Sequence, residues 1–137
     1  MLAETKELFK NKGKSLTGVR SVILDILGSA TSPLNPKQIL GMIKGKKPDL
    51  ATIYRNLSLM ESLGIIESVD LGEGFKRYEM VLPENHRHHI VCNKCGKIQE
   101  VEECGLQEIE KKIFRKIGFK IEKHRLEFFG VCALCRK

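Results

Sequence analysis

The sequence has no apolar run long enough for a signal peptide or a membrane span, and charged residues are spread through its first residues, MLAETKELFKNKGK. We therefore expect a cytoplasmic protein with no membrane partner. Structural disulfides are rare in a reducing cytosol, so the five cysteines favour metal or redox chemistry. The 137 residues make one large domain or two small ones, whose limited cores a bound metal can reinforce.

The sequence also lacks the residue spacings that zinc enzymes use. It contains neither H-x-E nor H-E-x-x-H, and a site made of four cysteines is closed to substrate. We expect no enzyme activity and no small-molecule substrate. Tryptophan is absent, and the six phenylalanines mostly fit core or interface positions. A zinc-ribbon module that binds proteins, or that stacks RNA bases on exposed aromatics, is therefore a less favoured alternative.

The positive charge is concentrated in the first part of the chain. The formal net charge is +7, and residues 1–60 contain ten Lys or Arg against four Asp or Glu. A basic N-terminal half suits a polyanion such as double-stranded DNA. Ordinary solvated lysines would produce the same count, so the charge alone does not decide the partner.

The first half of the sequence has the periodicity of three helices. Apolar residues recur at helical spacing from Val19 to Ala30. Asn35 and Asp49 are suited to cap two further helices, in NPKQILGMIKG and DLATIYRNLSLMESLG. The period then changes to about two, and IIESVD and FKRYEM flank the turn LGEG, which predicts a hairpin.

This order of elements predicts a winged helix-turn-helix DNA-binding domain over residues 1–82, with its third helix in the major groove. Arginine can bind guanine edges or phosphate, and tyrosine offers a hydroxyl and a contact to the thymine methyl. Each candidate could instead be a solvated surface residue, and Tyr54 could pack partly in the core. The predicted DNA contacts are Lys14, Arg20, Thr52, Tyr54 and Arg55.

The second half reads as a separate domain over residues 83–137. Pro83, within MVLPEN, disfavours a continued strand and marks the boundary. We predict a short strand pair over residues 88–91 and 97–101, a helix over LQEIEKKIFRKIG, and a long strand over FKIEKHRLEFFGV. The fold class is therefore α+β, with a winged helix-turn-helix domain followed by a small α/β domain.

Four cysteines in two CxxC units predict a zinc site in this second domain. The units are Cys92 with Cys95 and Cys132 with Cys135, each expected at a strand end. Four thiolates suit tetrahedral Zn²⁺ in a structural role. A redox dithiol is disfavoured, because neither CxxC opens a helix in a thioredoxin-like pattern. We expect Cys104 to be a small buried or turn residue without a ligand role.

The motifs LATIYRNLSLMESLGII, GEGFKRYE, HRHHIVCNKCGKI and GFKIEKHRLEFFGVC, with the closing CxxC, resemble the ferric uptake regulator (Fur) family. The resemblance covers nearly the whole chain. It implies a metal-dependent transcriptional repressor that forms a homodimer through its C-terminal halves and reads a palindromic operator. It also implies that a bound metal closes the two domains into the DNA-binding geometry, which requires the metal to bind the closed form more tightly.

The histidines ahead of the first CxxC fall on two faces if residues 86–91 are extended. His86 and His88 then point one way, whereas Arg87 and His89 point the other. The resemblance implies that His86 and His88 meet His124 in a second metal site, with Gln107 at the family's acidic position. Imidazoles suit Zn²⁺ or Fe²⁺. The alternative is a set of polar strand histidines that bind no metal.

The resemblance also implies a regulatory metal site between the domains, built here from Glu79, His89 and Glu100. Two ligands of the family pattern are missing, since TSPLNPK contains no histidine and Arg87 stands at a histidine position. Either metal binds the three remaining ligands more weakly, or Arg87 partly replaces its charge and regulation moves to the second site.

The same positions bear on the sensed signal. Peroxide-sensing relatives use aspartate where this chain has Glu79, so peroxide sensing by that route is disfavoured. Control of iron homeostasis genes by Fe²⁺ is the default because it is common in the family. Zinc sensing, as in Zur-like members, is the close alternative, and Mn²⁺ is a further metal for binding in vitro.

Overall fold

The computed structural model describes Lys10 and residues 18–81, 87–102 and 104–137. The chain divides into two compact units, Met1–Val81 and Leu82–Lys137, and each is described by itself. Three residues named above, Lys14, Pro83 and His86, lie outside the described residues. Among the described helices, none is long and apolar enough to cross a membrane.

The first unit begins with three described helices, α1 (Val19–Ser29), α2 (Pro36–Met42) and α3 (Leu50–Ser62). Asn35 caps α2 in a capping box: its side chain accepts from the Gln38 amide, and the Gln38 side chain accepts from the Asn35 amide. Asp49 caps α3 by accepting from the Thr52 amide. Both caps lie where the sequence predicts them.

An antiparallel hairpin follows, formed by β1 (Ile66–Asp70) and β2 (Lys76–Met80), with Ile66 opposite Met80. Gly72 and Gly74 have φ of 75° and 85°, which the turn requires and which glycine adopts without strain. The side chains that are almost fully buried come from every element of the unit except β2. They include Ile23, Ile39, Ile53, Leu57, Met60 and Ile66.

The hairpin is joined to the segment before α2 by backbone and side-chain bonds. Leu34 and Tyr78 exchange two backbone hydrogen bonds, of 3.0 and 2.8 Å. Arg77 donates to both carboxylate oxygens of Glu73 at 2.8 Å, to the Pro33 carbonyl at 3.2 Å and to Gln38 Oε1 at 3.0 Å. The hairpin is therefore held against the start of α2.

The second unit contains β3 (His88–Cys92), β4 (Ile98–Val101), α4 (Gln107–Ile117), β5 (Glu127–Gly130) and α5 (Ala133–Arg136). The described sheet has the order β4-β3-β5, antiparallel between β3 and β4 and parallel between β3 and β5. The helix α4 ends at Gly118, which has φ of 71°. This is a mixed α+β arrangement.

One sequence-based prediction for this unit is wrong in extent. FKIEKHRLEFFGV was expected to form one long strand, but the structure has a strand only over Glu127–Gly130. The described ladder joins this segment to residues 89–92 of β3, and residues 118–126 have no strand structure. A strand needs a neighbour for its backbone hydrogen bonds, and alternation in the sequence does not supply one.

A large apolar surface remains exposed on the second unit. Ile109, Ile113 and Ile117 recur at helical spacing along α4, with Leu106 at its N-cap, yet Ile109 is 50% exposed and Ile117 is 68% exposed. Phenylalanines on or next to α4 and β5 are exposed as well, and we use the name apolar face for the exposed large apolar side chains of these two elements and their flanking residues. Its members are Ile109, Phe114, Ile117, Phe119, Phe128 and Phe129. Patches of this kind mark interaction sites in proteins.

Candidate metal centres

The four cysteines of the two CxxC units lie together. Their Sγ atoms are all within 4.8 Å of one another, and the Sγ atoms of Cys95 and Cys132 are 3.8 Å apart. Cys92 ends β3, and a turn that closes with Gly96 (φ 76°) returns Cys95 towards it. Cys132 is the N-cap of α5 and Cys135 lies within that helix, so the second CxxC opens a short helix of four residues, contrary to the expectation from the sequence.

The parallel pairing of β3 and β5 explains why two distant CxxC units meet. Cys92 lies opposite Gly130 in the register, and the amide of Asn93 donates to the Gly130 carbonyl at 2.8 Å. Cys132 follows two residues after Gly130, so the strand pair delivers both units to the same end of the sheet.

Backbone amides make two of these thiols acidic. The Cys132 amide donates to Cys92 Sγ at 3.3 Å and, together with the amides of Cys95 and Lys94, lowers the pKa of Cys92 to about 6. The pKa of Cys132 is lowered by the amide of Cys135. The pKa of Cys135 is raised to about 12, because the side chains of Cys132 and Cys95 at hydrogen-bond distance favour its protonated form. A bound dication would favour all four thiolates.

This donor set fits a structural zinc ion. Four sulfur atoms within 4.8 Å of one another fit the tetrahedral preference of Zn²⁺ for thiolates, and four thiolate ligands would leave no position for a substrate. All five cysteines of the chain lie among the described residues, and none is joined to another by a disulfide. The four-cysteine cluster predicted from the sequence is therefore present.

A second cluster contains two of the predicted histidines. The Nε2 atoms of His88 and His124 are 3.3 Å apart, and their rings stack with centroids separated by 5.1 Å. Cys104 Sγ lies 3.3 Å from His124 Nε2. On the other side of the ring, His124 Nδ1 lies 2.5 Å from Glu110 Oε1. His88 is buried, and the other three side chains are partly buried.

The composition of this cluster differs from the sequence-based expectation. His88 and His124 are brought together, as the resemblance implied, whereas His86 lies outside the described residues. Gln107 is exposed at the start of α4. The carboxylate that contacts His124 comes from Glu110, one helical turn further along.

Sequence reasoning also missed Cys104, which was expected to be only a small buried or turn residue. Its thiol instead adjoins both histidines, and the three ligand atoms lie within 4.8 Å of one another. The spacing of Cys104, Gln107 and Glu110 by three residues was the available signal, because such positions share one helical face. Cys104 precedes α4, so periodicity alone did not place it.

The residues of the implied regulatory site are divided between the units. Glu79 lies in β2 of the first unit, opposite Glu67. His89 and Glu100 belong to the second unit and lie opposite one another in the β3–β4 ladder, with His89 buried. Arg87 Nη1 lies 2.7 Å from Glu100 Oε1, so this carboxylate already has a cationic neighbour.

Three predicted DNA-contacting residues lie at the start of α3. Thr52 donates through Oγ1 to Asp49 Oδ1 at 2.6 Å, and Arg55 Nη2 donates to Thr52 Oγ1 at 3.1 Å. The guanidinium of Arg55 is thus held at an exposed helix surface. Tyr54 is 46% exposed, which excludes it from the core of the unit.

The fourth described residue of this group, Arg20, has a structural contact. Its Nε donates to Asn56 Oδ1 at 2.9 Å, and Asn56 in turn donates to the Thr52 carbonyl at 2.8 Å. These bonds connect α1 to α3. Lys14, the remaining predicted contact, lies outside the described residues.

The described fold and the clusters together define a small protein of two units, with three described helices and a hairpin in one and, in the other, a four-cysteine cluster suited to a metal ion. Residues 11–129 match the model of the Ferric uptake regulator family. The chain belongs to the ferric uptake regulator family, whose members are metal-responsive transcription regulators. The resemblance stated from its motifs is thereby confirmed.

Individual relatives agree with this assignment. The peroxide operon regulator of Bacillus subtilis is 33% identical over 138 residues, which cover 99% of this chain and 94% of that protein. The ferric uptake regulation protein of Bacillus subtilis is 32% identical over 134 residues, which cover 95% of this chain and 90% of that protein. The structure of the Helicobacter pylori ferric uptake regulator Fur, described as having three functional metal binding sites, superposes with a TM-score of 0.85 at 25% identity, covering 99% and 91%.

Proposed function

We propose that this protein is a metal-responsive repressor that binds palindromic operator DNA as a homodimer and controls iron homeostasis genes. The observation that carries the proposal is the exposed N-terminal part of α3, where Tyr54 and Arg55 project from a unit whose described residues form three helices and a hairpin over residues 18–81. In a winged helix-turn-helix this helix enters the major groove with its N-terminal residues near base edges.

The contacts around α3 support a recognition role. Thr52 and Arg55 form a hydrogen-bonded pair that limits the conformations of the guanidinium before DNA arrives. Arg20 contacts the phosphate backbone of the DNA, while its hydrogen bond to Asn56 keeps α1 against α3. Lys14 is proposed as a further contact to the DNA backbone.

A second copy of the chain is the proposed occupant of the apolar face. Six large apolar side chains on α4 and β5, or beside them, are at least 39% exposed in the single chain. Pairing two such faces would remove them from water and contribute roughly 25 cal/mol per Å² of apolar surface buried. A two-fold dimer also contains two α3 helices, one for each half-site of a palindrome.

Metal enters the proposal in two roles. Zn²⁺ held by Cys92, Cys95, Cys132 and Cys135 stabilises the second unit. The regulatory dication, Fe²⁺ by default, would use Glu79, His89 and Glu100 or the cluster around His88 and His124. The ion pair between Arg87 and Glu100 supports the second choice, because a metal at Glu100 must compete with a guanidinium 2.7 Å away.

Zinc-responsive regulation is the second candidate function. It is favoured by the same ion pair, because regulation through the histidine cluster uses imidazole ligands that suit Zn²⁺ as well as Fe²⁺. Peroxide sensing stays disfavoured by Glu79, although a peroxide operon regulator is among the relatives.

The proposal is tested with a duplex selected from a random library by the metal-loaded protein. Fluorescence anisotropy then measures duplex affinity for protein that retains its structural zinc, with and without added Fe²⁺, Mn²⁺ or Zn²⁺. We expect metal to strengthen binding. Equal binding by stripped and loaded protein contradicts metal regulation.

Variants on α3 test the DNA-binding surface in the same assay. Tyr54→Ala and Arg55→Ala should each lose about 1–3 kcal/mol of duplex affinity, while Ser58→Ala, an exposed control on α3, should lose little. Unchanged binding by both variants, with their circular dichroism intact, would favour a zinc-ribbon module over a repressor.

A further inference from the structure

We propose that Cys104 supplies a thiolate ligand to the second metal site, beside His88 and His124, and that this ligand makes the site selective for Zn²⁺. This inference rests on the second metal site of the proposed function. It adds to that function the metal that the site binds. It keeps His88 and His124 from the ligand set expected from the sequence and puts Cys104 in place of Gln107.

Two of the three distances among the ligand atoms are close to those of a tetrahedral zinc site, and the third, between His88 and Cys104, is within 4.8 Å. With Zn–N near 2.0 Å and Zn–S near 2.3 Å, tetrahedral ligands lie roughly 3.3–3.6 Å apart. The separation between the two Nε2 atoms is 3.3 Å, and that between Cys104 Sγ and His124 Nε2 is also 3.3 Å. One ion can therefore contact all three atoms after small side-chain adjustments.

The orientation of His124 is set by Glu110. The carboxylate lies at Nδ1 of the ring, so it favours the tautomer in which Nδ1–H donates a hydrogen bond to Glu110 and the Nε2 lone pair faces His88 and Cys104. Metal-bound histidines in proteins usually have such a partner on the other ring nitrogen. Glu110 is thus a positioning residue that does not need to contact the ion.

The cluster is formed by three segments that are distant in sequence, so its ligand atoms are not close merely because they are neighbours in the chain. His88 comes from the start of β3, Cys104 from the segment before α4, and His124 from the segment before β5. His88 is only 4% exposed, and Cys104 and His124 are partly buried. Partial burial limits competition by water while leaving a path for an ion.

The thiolate determines the selectivity. Imidazole and carboxylate ligands accept Fe²⁺, Mn²⁺ and Zn²⁺, whereas a thiolate favours the softer Zn²⁺. Replacing sulfur by oxygen at position 104 should therefore reduce Zn²⁺ affinity more than Mn²⁺ affinity. Selectivity of this kind would assign zinc, rather than iron, to this site.

Cobalt is the probe for the bond to sulfur. Full-length protein holding one verified zinc per chain, in the four-cysteine site, receives one equivalent of Co²⁺ without DNA present. We expect sulfur-to-cobalt charge-transfer absorption in the near ultraviolet, which Cys104→Ser abolishes while zinc content and circular dichroism stay unchanged. Competition titrations should show a lower Zn²⁺-to-Mn²⁺ affinity ratio for this variant.

A matched pair on α4 tests the positioning role. Glu110→Gln should weaken Zn²⁺ binding about 10- to 100-fold while keeping the charge-transfer band, and Glu108→Gln, an exposed control on the same helix, should leave both unchanged. Absence of the charge-transfer band in the wild type, its persistence in Cys104→Ser, or an unchanged affinity ratio overturns the proposal. Because no DNA is present, these outcomes are separate from failure of operator binding.

Discussion

Arg87 and Glu100 form an ion pair in which Nη1 lies 2.7 Å from Oε1, beside the buried His89. Their side chains are 20% and 33% exposed, so water screens the pair less than a fully exposed one. Glu100 is one of three carboxylate or imidazole ligands expected at the regulatory site. The guanidinium therefore supplies part of the positive charge that a dication would bring to Glu100.

Replacing this arginine should reopen the site to metal. Arg87→His removes the competing guanidinium and adds an imidazole, so Fe²⁺, Mn²⁺ and Zn²⁺ should each bind more tightly there. Isothermal titration calorimetry of protein that retains its structural zinc measures the gain. Arg115→His on α4 is the control and should not change affinity. Equal affinities in wild type and Arg87→His would show that the ion pair does not oppose metal binding.

Removing the structural zinc should unfold one unit and spare the other. A structural zinc site contributes about 10–16 kcal/mol of apparent binding free energy, much of which acts as folding energy. After chelation, amide hydrogen exchange should become fast across residues 86–137, whereas buried positions of α3 such as Ile53 and Leu57 stay protected. If melting and circular dichroism are unchanged after verified zinc removal, the zinc has no such structural role.

The cap of α3 should make the first unit sensitive to acid. The side chain of Thr52, and then its amide, donate to Asp49 and hold the pKa of that carboxyl below its ordinary value of 3.8. Because the folded-state pKa is the lower one, this stabilisation is present above 3.8 and is lost as pH falls through the folded-state pKa.

Two substitutions separate the cap from its charge. Asp49→Ala should increase hydrogen exchange at the start of α3 at neutral pH, and the difference from wild type should shrink in acid. Asp49→Asn keeps a capping oxygen that does not titrate. The amides at the start of α3 should therefore stay protected from exchange in this variant, and their protection should depend less on pH. If the difference in hydrogen exchange between Asp49→Ala and wild type does not change with pH, the charge of the carboxylate has no role in the cap.

Arg77 should be the main support of the hairpin. It bonds to Glu73, the Pro33 carbonyl and Gln38, and its guanidinium also lies 5.5 Å from the centre of the Phe75 ring. Hydrogen bonds to charged groups contribute about 1.5–3 kcal/mol each, so Arg77→Ala should lower the free energy of unfolding of the first unit by at least that much.

Chemical denaturation with a probe in the first unit measures this loss. Arg77→Lys should recover only part of it, because an ammonium group cannot reproduce the paired bonds to Glu73. Lys76→Ala, an exposed neighbour on β2, is the control and should change stability little. If Arg77→Ala and Lys76→Ala have the same free energy of unfolding, Arg77 does not support the hairpin.

The local elements of the fold were readable from the sequence because their causes are local. A cap and its amide are three residues apart, as in Asn35 with Gln38 and Asp49 with Thr52. The turn between β1 and β2 depends on two glycines separated by one residue, and helical faces depend on a period of 3.6 residues. The CxxC spacing likewise indicates thiolate pairs without knowledge of the fold.

Tertiary structure decided what lies beside each candidate ligand. The parallel register of β3 and β5 brings Cys132 to Cys92, and the position of α4 gives His124 the carboxylate of Glu110 instead of Gln107. The thiol of Cys104 beside two histidines also depends on three segments that are distant in sequence. By itself, the sequence determined which residues are able to bind metal, because that is a property of each side chain. Their grouping depends on strand pairing and helix packing between distant segments, which local patterns do not determine.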